Sequence, residues 1–322
     1  MDVRTPDIIQ LMKTLSGKTL SKIGIGSFGI GGRGHRDVAL TELQKDEVYI
    51  DALAYTLQKG GNFTEIALGY GHGQAMILFK QALDKSSIDR EDVFFTHSLY
   101  TRDFPSIDVV HQDVANFYKI METNYADSTL ITQSLILKFG EQPIYSMLQN
   151  LLKSGKTRHV SLSNASPDFI KAFQEEFGDS FYAHEGHLSF EVRALQDKGV
   201  FKTCDELGIK NIIWRPLGRN KTLGRNWELL IELAKKYNKT QSQIILNWMC
   251  HLGYSPMVLS LTQEHINENI VATEFKMSDA DYQRMTDFRP SNYHPPVVHW
   301  DSLSTDDDIV ALVNEFDKHV TL

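Results

Sequence analysis

Cysteine is scarce: the 322-residue chain has two, Cys204 and Cys250, each flanked by helix-like sequence and without CxxC spacing. This excludes a disulfide framework and a thiolate metal pair, leaving reduced packing residues. Proline is also scarce, at nine residues, and no Gly/Ser-rich or Pro-rich stretch breaks the chain. No internal linker is expected, and residues 1–322 read as one domain. Lysine and arginine form no block, and the formal charge is −8. Nucleic-acid and anionic-membrane surfaces need concentrated positive charge, so neither partner is expected. No run approaches the roughly 20 apolar residues of a membrane span, and Met1 to Ser21 carry charges where a secretory leader needs an apolar core. The expectation is a cytoplasmic protein. No histidine pair has metal-ligand spacing such as HExxH, so no metal is expected. Oligomeric state leaves no mark in the sequence.

What is present is enough apolar material for one core, with 42% hydrophobic and 23% charged residues. From Lys22 onward, short β-branched or apolar runs alternate with amphipathic stretches, the pattern of repeated βα units. The spacing predicts strands near Ile23 to Phe28, Asn62 to Ala67, Val93 to Leu99, Thr129 to Leu135, His159 to Leu162, Phe181 to His184, Asn211 to Trp214 and Pro256 to Leu259. Eight such units favour an α/β fold closed as a single (β/α)8 TIM barrel over an open doubly wound sheet. The glycines from Gly24 to Gly32 run into a polar stretch from Arg33 to Gln44, with no GxGxxG opening a helix, which argues against a Rossmann unit. A C-terminal extension follows the barrel. Its segment from Ser291 to Trp300 brings Tyr293, His294 and Trp300 to the mouth with the 33–44 loop, and an amphipathic helix is expected over Thr305 to His319.

In a barrel the reacting groups sit at the C-terminal ends of the strands. Several of those ends carry recognisable runs: Lys22-Ile-Gly-Ile-Gly-Ser-Phe-Gly, Gly61-Asn-Phe-Thr-Glu-Ile-Ala-Leu-Gly-Tyr-Gly, Arg90-Glu-Asp-Val-Phe-Phe-Thr, Leu152-Lys-Ser-Gly-Lys-Thr-Arg-His-Val-Ser-Leu-Ser-Asn, Trp214-Arg-Pro-Leu-Gly-Arg and Glu264-His-Ile-Asn-Glu-Asn. In this order they resemble the aldo-keto reductases, from about Lys13 to about Phe288. The resemblance implies hydride transfer between a nicotinamide dinucleotide, NADP(H) or NAD(H), and a small-molecule carbonyl, with a tyrosine as proton donor.

That family normally assembles aspartate, tyrosine, lysine and histidine. Here Tyr70 keeps the tyrosine position, and the aspartate position is Glu65, one methylene longer. The lysine position falls on Ser98, and the histidine position on Thr132, or on Gln133 if the register slips by one. Without a cation beside it, Tyr70 should hold its proton tightly and be a feeble base, while still able to donate to a developing alkoxide. Losing one preorganised donor typically costs about 100- to 1000-fold in rate, so ordinary aldehyde reduction should be slow. Glu65 is either a buried acid that keeps its proton at neutral pH or a carboxylate hydrogen-bonded to Tyr70 and Ser98 in a decayed site. His72, just after strand two, is a further candidate for the lost groups, and His35 lies in the loop after strand one; alternation turns His97 away from the axis.

On the cofactor side, the resemblance places Ser163 and Asn164 on the nicotinamide carboxamide and Trp214 against its ring. It places His184 at the position of a carboxamide-binding glutamine. Leu217, Gly218 and Arg219, with Lys221 and Arg225, follow strand seven and would face the pyrophosphate. Leu259 falls on a lysine and His265 on an arginine that grip the adenosine phosphate, while Ser260, Glu268 and Asn269 remain compatible with phosphate and adenine contacts. A leucine and a mostly neutral histidine give no charge-assisted grip, which leaves NADP, NAD or no cofactor open. Three functions follow: a divergent oxidoreductase, a cofactor-independent acid–base enzyme such as a dehydratase, isomerase or lyase, and a non-catalytic barrel that senses a dinucleotide.

Overall fold

The computed structural model describes residues 13–32, 44–291 and 298–300. Eight parallel strands close into a barrel in chain order. They are β1 (Gly24–Ile25), β2 (Phe63–Ile66), β3 (Phe94–Leu99), β4 (Ala126–Thr132), β5 (Thr157–Ser163), β6 (Phe181–His187), β7 (Lys210–Trp214) and β8 (Ser255–Val258). The helices among the described residues are α1 (Asp46–Gln58), α2 (Gln74–Ser86), α3 (Ile107–Ile120), α4 (Gln133–Phe139), α5 (Glu141–Lys153), α6 (Pro167–Phe177), α7 (Ala194–Asp197), α8 (Val200–Leu207), α9 (Lys221–Gly224), α10 (Glu228–Tyr237), α11 (Gln241–His251), α12 (Gln263–Ile270) and α13 (Asp279–Asp287). The barrel expected from the sequence is therefore the fold. The 33–43 stretch, Tyr293, His294 and the helix expected over Thr305 to His319 lie outside the described residues.

β1, β4 and β6 depart most from the expectation, β6 by running on to His187. β1 has two residues instead of six: a Cβ on Gly24 would stand 2.4 Å from the Phe63 ring, so only glycine lets this strand pass the interior aromatics. The ladder continues one step further, where the Gly26 amide donates to Val258 O at 2.9 Å. β4 was expected over Thr129 to Leu135 but lies over Ala126–Thr132. The Thr132 hydroxyl accepts the Leu135 amide at 3.1 Å and starts α4 there, whose Leu135 and Ile136 are buried. A capping bond thus converts the second half of an apolar, β-branched run into helix.

Side chains alternate between the barrel interior and the helix layer. At the N-terminal end the interior is filled by Phe63, Phe94, Tyr182 and Met257. Above them Ser128 and Ser161 share a hydrogen bond of 2.8 Å. The opposite face of the strands packs on the helices: His97 stacks on Phe117 of α3 at 4.4 Å, with its Nε2 3.4 Å from Asp113, so it points away from the axis as expected.

Two buried charge clusters fix the loops that follow β6 and β7. Arg193 is fully buried against Trp248, 4.2 Å from its ring, and donates to Phe190 O and Met285 O, each at 2.9 Å. Glu191 accepts from Thr222 at 2.8 and 2.9 Å and pairs with Arg225. With its partners in place each buried charge is satisfied; removing one partner leaves an uncompensated charge, which costs about 3–5 kcal/mol.

Candidate active site

At the C-terminal end of β2, Glu65 faces the barrel axis and is 4% exposed. Tyr70 Oη donates to its Oε2 at 3.2 Å, and Tyr100 Oη, from just beyond β3, donates to Oε1 at 3.4 Å. The two phenol rings stack at 5.9 Å. Burial pushes the Glu65 carboxyl up to about 7, against the lowering effect of Ser98, Tyr70 and Tyr100 beside it. The Asp103 carboxylate adds to the rise and packs against Gly69, where any Cβ would collide with it. Burial, then the negative charges of Glu65 and Glu185, hold the Tyr70 phenol well above its usual range. Ser98 is buried beside Glu65, and its uncharged hydroxyl lowers the carboxyl by less than burial raises it.

The other candidates of this group are placed differently. The Thr132 hydroxyl caps α4 and is 2.7 Å from Thr101 Oγ1 and 2.9 Å from Ser134 Oγ, so it is committed to holding the β3 and β4 ends together. Gln133, the alternative position, accepts the Ser166 amide at 2.9 Å and donates to Trp300 O at 3.1 Å, tying the tail to α6. His72 sits exposed in a left-handed turn at φ 54°, outside the buried Glu65 cluster.

Across the mouth, β5 ends in Ser163, and Asn164 follows it. Trp214 Nε1 donates to Asn164 Oδ1 at 3.4 Å, and the Trp214 ring lies 4.7 Å from that of His187. Ser163 Oγ is buried without a hydrogen-bond partner among the described residues. A buried, unpaired hydroxyl costs free energy, so this position fits a ligand amide.

His184, the residue expected at the carboxamide position, does not face this wall. Its Nε2 accepts the Ala165 amide at 3.2 Å, and a Cβ on Gly186 would meet Leu195, Phe201 and His184 together, which puts both residues on the helix side of β6. Burial depresses the His184 imidazole to about 3, so it is neutral. Glu185 is the residue turned inward. It pairs in register with Ser163, its carbonyl accepts the Asn164 amide at 3.1 Å, and its Oε2 is buried without a partner among the described residues. Burial, then the charge of Glu65, raises its carboxyl well above the usual range.

The loop after β7 arches over the mouth. Arg215 lies 5.1 Å from the Trp214 ring and 5.4 Å from that of Phe28, and Arg219 lies 5.0 Å from Phe28. Phe28 meets the Tyr70 ring edge-on at 5.2 Å. Leu217 leads into Gly218, where a Cβ would stand 2.6 Å from Thr222 Oγ1; only glycine allows that turn. Of the basic residues expected at a pyrophosphate, Arg225 is turned instead onto buried Glu191.

At the adenosine end, Asn269 Nδ2 donates to Ser260 Oγ at 2.9 Å, and Thr262 caps α12 by accepting the His265 amide at 3.3 Å. His265 is exposed and Glu268 half-buried, whereas Leu259 packs onto the apolar cluster of β1, α1 and α2. Leu259, Ser260 and Asn269 border a pocket of about 90 Å³ together with Ile25, Leu53 and Ile266.

Glu185, Tyr100, Phe28 and Arg215 also border the candidate site, and the sequence does not single them out. The strand expected from the sequence stops at His184, three residues short of the end of β6, and so leaves Glu185 outside its alternation. Tyr100, Phe28 and Arg215 are placed by loops, for which periodicity gives no signal.

The sequence profile of the Aldo/keto reductase family matches residues 22–289. Over 263 residues the chain is 26% identical to methylglyoxal reductase DkgB of Escherichia coli O157:H7, covering 80% of this chain and 91% of that protein. Over 253 residues it is 23% identical to the uncharacterized oxidoreductase YtbE of Bacillus subtilis, covering 76% and 85%. The crystal structure of the thermostable aldo-keto reductase Tm1743 superposes with a TM-score of 0.71 at 22% identity, over 85% of this chain and 97% of that one. That of the Bombyx mori aldo-keto reductase AKR2E4, in complex with NADP, superposes with a TM-score of 0.71 at 18% identity, over 89% and 94%. With the profile running from before β1 to beyond α13, the chain belongs to the aldo/keto reductase family.

Proposed function

We propose that this protein is a nicotinamide-dependent oxidoreductase that reduces a carbonyl, or a related group, of a small molecule, with Tyr70 as proton donor and Glu65 behind it. The observation that supports this most is that the Tyr70–Glu65–Tyr100 cluster lies at the same mouth as the Ser163–Asn164–Trp214 wall, with Glu185 of that wall acting electrostatically on Tyr70.

Ser163, Asn164 and Trp214 would hold the nicotinamide end of NADP(H) or NAD(H), Leu217, Gly218 and Arg219 with Lys221 the pyrophosphate, and Ser260, His265, Glu268 and Asn269 the adenosine. The bound dinucleotide supplies or accepts the hydride. Tyr70 stays protonated through neutral pH because burial and two carboxyls raise its phenol, so it can donate to a developing alkoxide and is a poor base in reverse. Glu65, near 7, carries a proton part of the time and returns one to Tyr70 Oη through the 3.2 Å contact. Phe28 and Tyr100 close the apolar side of the phenol against water.

The test is transfer of label from a 4,4-dideuterated reduced dinucleotide to a panel of small aldehydes and ketones. Deuterium on the carbinol carbon supports the reading; product without label, or no product from any carbonyl, contradicts it.

A further inference from the structure

Of the polar groups at the mouth, Glu185 stands out. It is 2% exposed, its Oε2 has no partner among the described residues, and it is the register partner of Ser163, whose Oγ is likewise unpaired. Its own carbonyl holds the Asn164 amide, so the carboxyl rises from the strand position that fixes the Ser163–Asn164 pair. Whatever ring lies against Trp214 and reaches Ser163 lies beside this carboxyl.

We propose that Glu185 makes the site discriminate between the two redox states of its dinucleotide, gripping the oxidised, positively charged nicotinamide more tightly than the neutral reduced one. This rests on the dinucleotide reading above and adds to it a part for Glu185 in binding the ring itself. The reasoning is electrostatic. A carboxyl buried without a cation favours its neutral form, whereas a cationic ring beside it favours the carboxylate. Binding of the oxidised form therefore drives a proton off, and binding of the reduced form does not. The preference grows as pH rises, by up to tenfold per unit while one proton is coupled.

The other charged and titratable groups around Glu185 do not cancel this. The Glu65 carboxyl at β2 acts in the same direction and is itself raised by Asp103 beyond β3; Tyr70 and Tyr100 stay neutral. His187, two residues along β6, is depressed to about 3 by burial and by Arg215, and is also neutral. Arg215, at the end of β7, opposes the effect but is shared with the faces of Phe28 and Trp214.

The experiment is equilibrium titration of the full chain with NADP+ and NADPH, and with NAD+ and NADH, from about pH 5.5 to about 8.5. Tryptophan emission is the readout, for the wild type, Glu185→Gln and Glu65→Gln. The expected result is a preference for the oxidised form of at least about tenfold at the alkaline end, equivalent to lowering the bound couple's potential by about 30 mV. It should collapse towards parity and lose its pH dependence in Glu185→Gln, and persist in reduced form in Glu65→Gln. Proton release on binding, followed with a pH indicator in wild type, gives a readout that does not depend on the variants folding: release with the oxidised form alone is expected. Equal affinity for both forms, or a preference untouched by Glu185→Gln, overturns the inference while leaving the oxidoreductase reading standing. Failure of wild type to bind either form overturns both.

Discussion

Tyr70 Oη lies 3.2 Å from Glu65 Oε2 in a buried pocket, so the phenol of this site donates to a carboxyl. A cation beside a phenol eases loss of its proton; a carboxyl tightens the hold. In the proposed reaction Tyr70 is therefore protonated when a carbonyl arrives, and a poor base in the reverse direction.

Removing the phenolic hydroxyl with Tyr70→Phe should lower turnover by about 100- to 1000-fold. The ring, its stacking on Tyr100 and its edge contact with Phe28 remain, so dinucleotide affinity should stay within about threefold, or less than 1 kcal/mol. Single-turnover rates and cofactor titrations of the variant check this. Unchanged turnover would remove Tyr70 from the chemistry.

Placing a cation next to the pair, as Ser98→Lys, should have the opposite effect. An ammonium beside Glu65 favours its carboxylate and lowers the Tyr70 phenol, so alcohol oxidation and aldehyde reduction should both rise, by about tenfold or more. Steady-state rates in both directions measure it. A variant that folds, binds dinucleotide and shows no gain would mean that charge at this position does not limit the reaction.

The raised Glu65 carboxyl also ties stability to pH. A group whose folded value is raised stabilises the fold fully below its unfolded value, and that contribution is lost as pH rises through the folded value. Here the window runs from 4.5 to about 7, and the loss is on the order of 3 kcal/mol. Denaturant midpoints of wild type should fall across that window, and those of Glu65→Gln should fall less. Parallel curves for the two proteins would show that Glu65 titrates normally.

The ion pair of Arg225 with buried Glu191 leads us to expect a structural role for it in place of a phosphate contact. Arg225→Ala leaves Glu191 buried without its cation and should cost about 3–5 kcal/mol of stability. The double variant with Glu191→Gln should recover part of that, and dinucleotide affinity should change little in it. Urea unfolding and cofactor titration of both variants separate the two roles; a folded Arg225→Ala protein with weakened cofactor binding alone would return Arg225 to the pyrophosphate.

The barrel was legible because closing eight parallel strands needs eight short apolar runs spaced by amphipathic helices, and that pattern survives in the chain. The Tyr70–Glu65 pair and the Ser163–Asn164–Trp214 wall were legible through the resemblance to the aldo-keto reductases, because the runs that carry it lie at strand ends. β4 was misplaced because Thr132-Gln-Ser-Leu-Ile reads as a continued strand unless the capping bond from Leu135 to Thr132 is known. That His184 faces the helix layer was not legible because one residue of strand register reverses the face, and the register shifts between Val160 and Ser161 where β5 meets β6. Phe28, Tyr100 and Arg215 depend on loop contacts far apart in sequence, which local periodicity does not encode.

The account stands most directly on whether a dinucleotide binds against Trp214. Titration of the purified protein with NADPH, NADH and their oxidised forms, followed by tryptophan quenching beside a Trp214→Ala control, measures this. Low-micromolar or tighter binding that weakens by at least about tenfold in Trp214→Ala, about 1.4 kcal/mol, is the predicted result. Absence of binding at millimolar cofactor, or binding indifferent to Trp214, would contradict it.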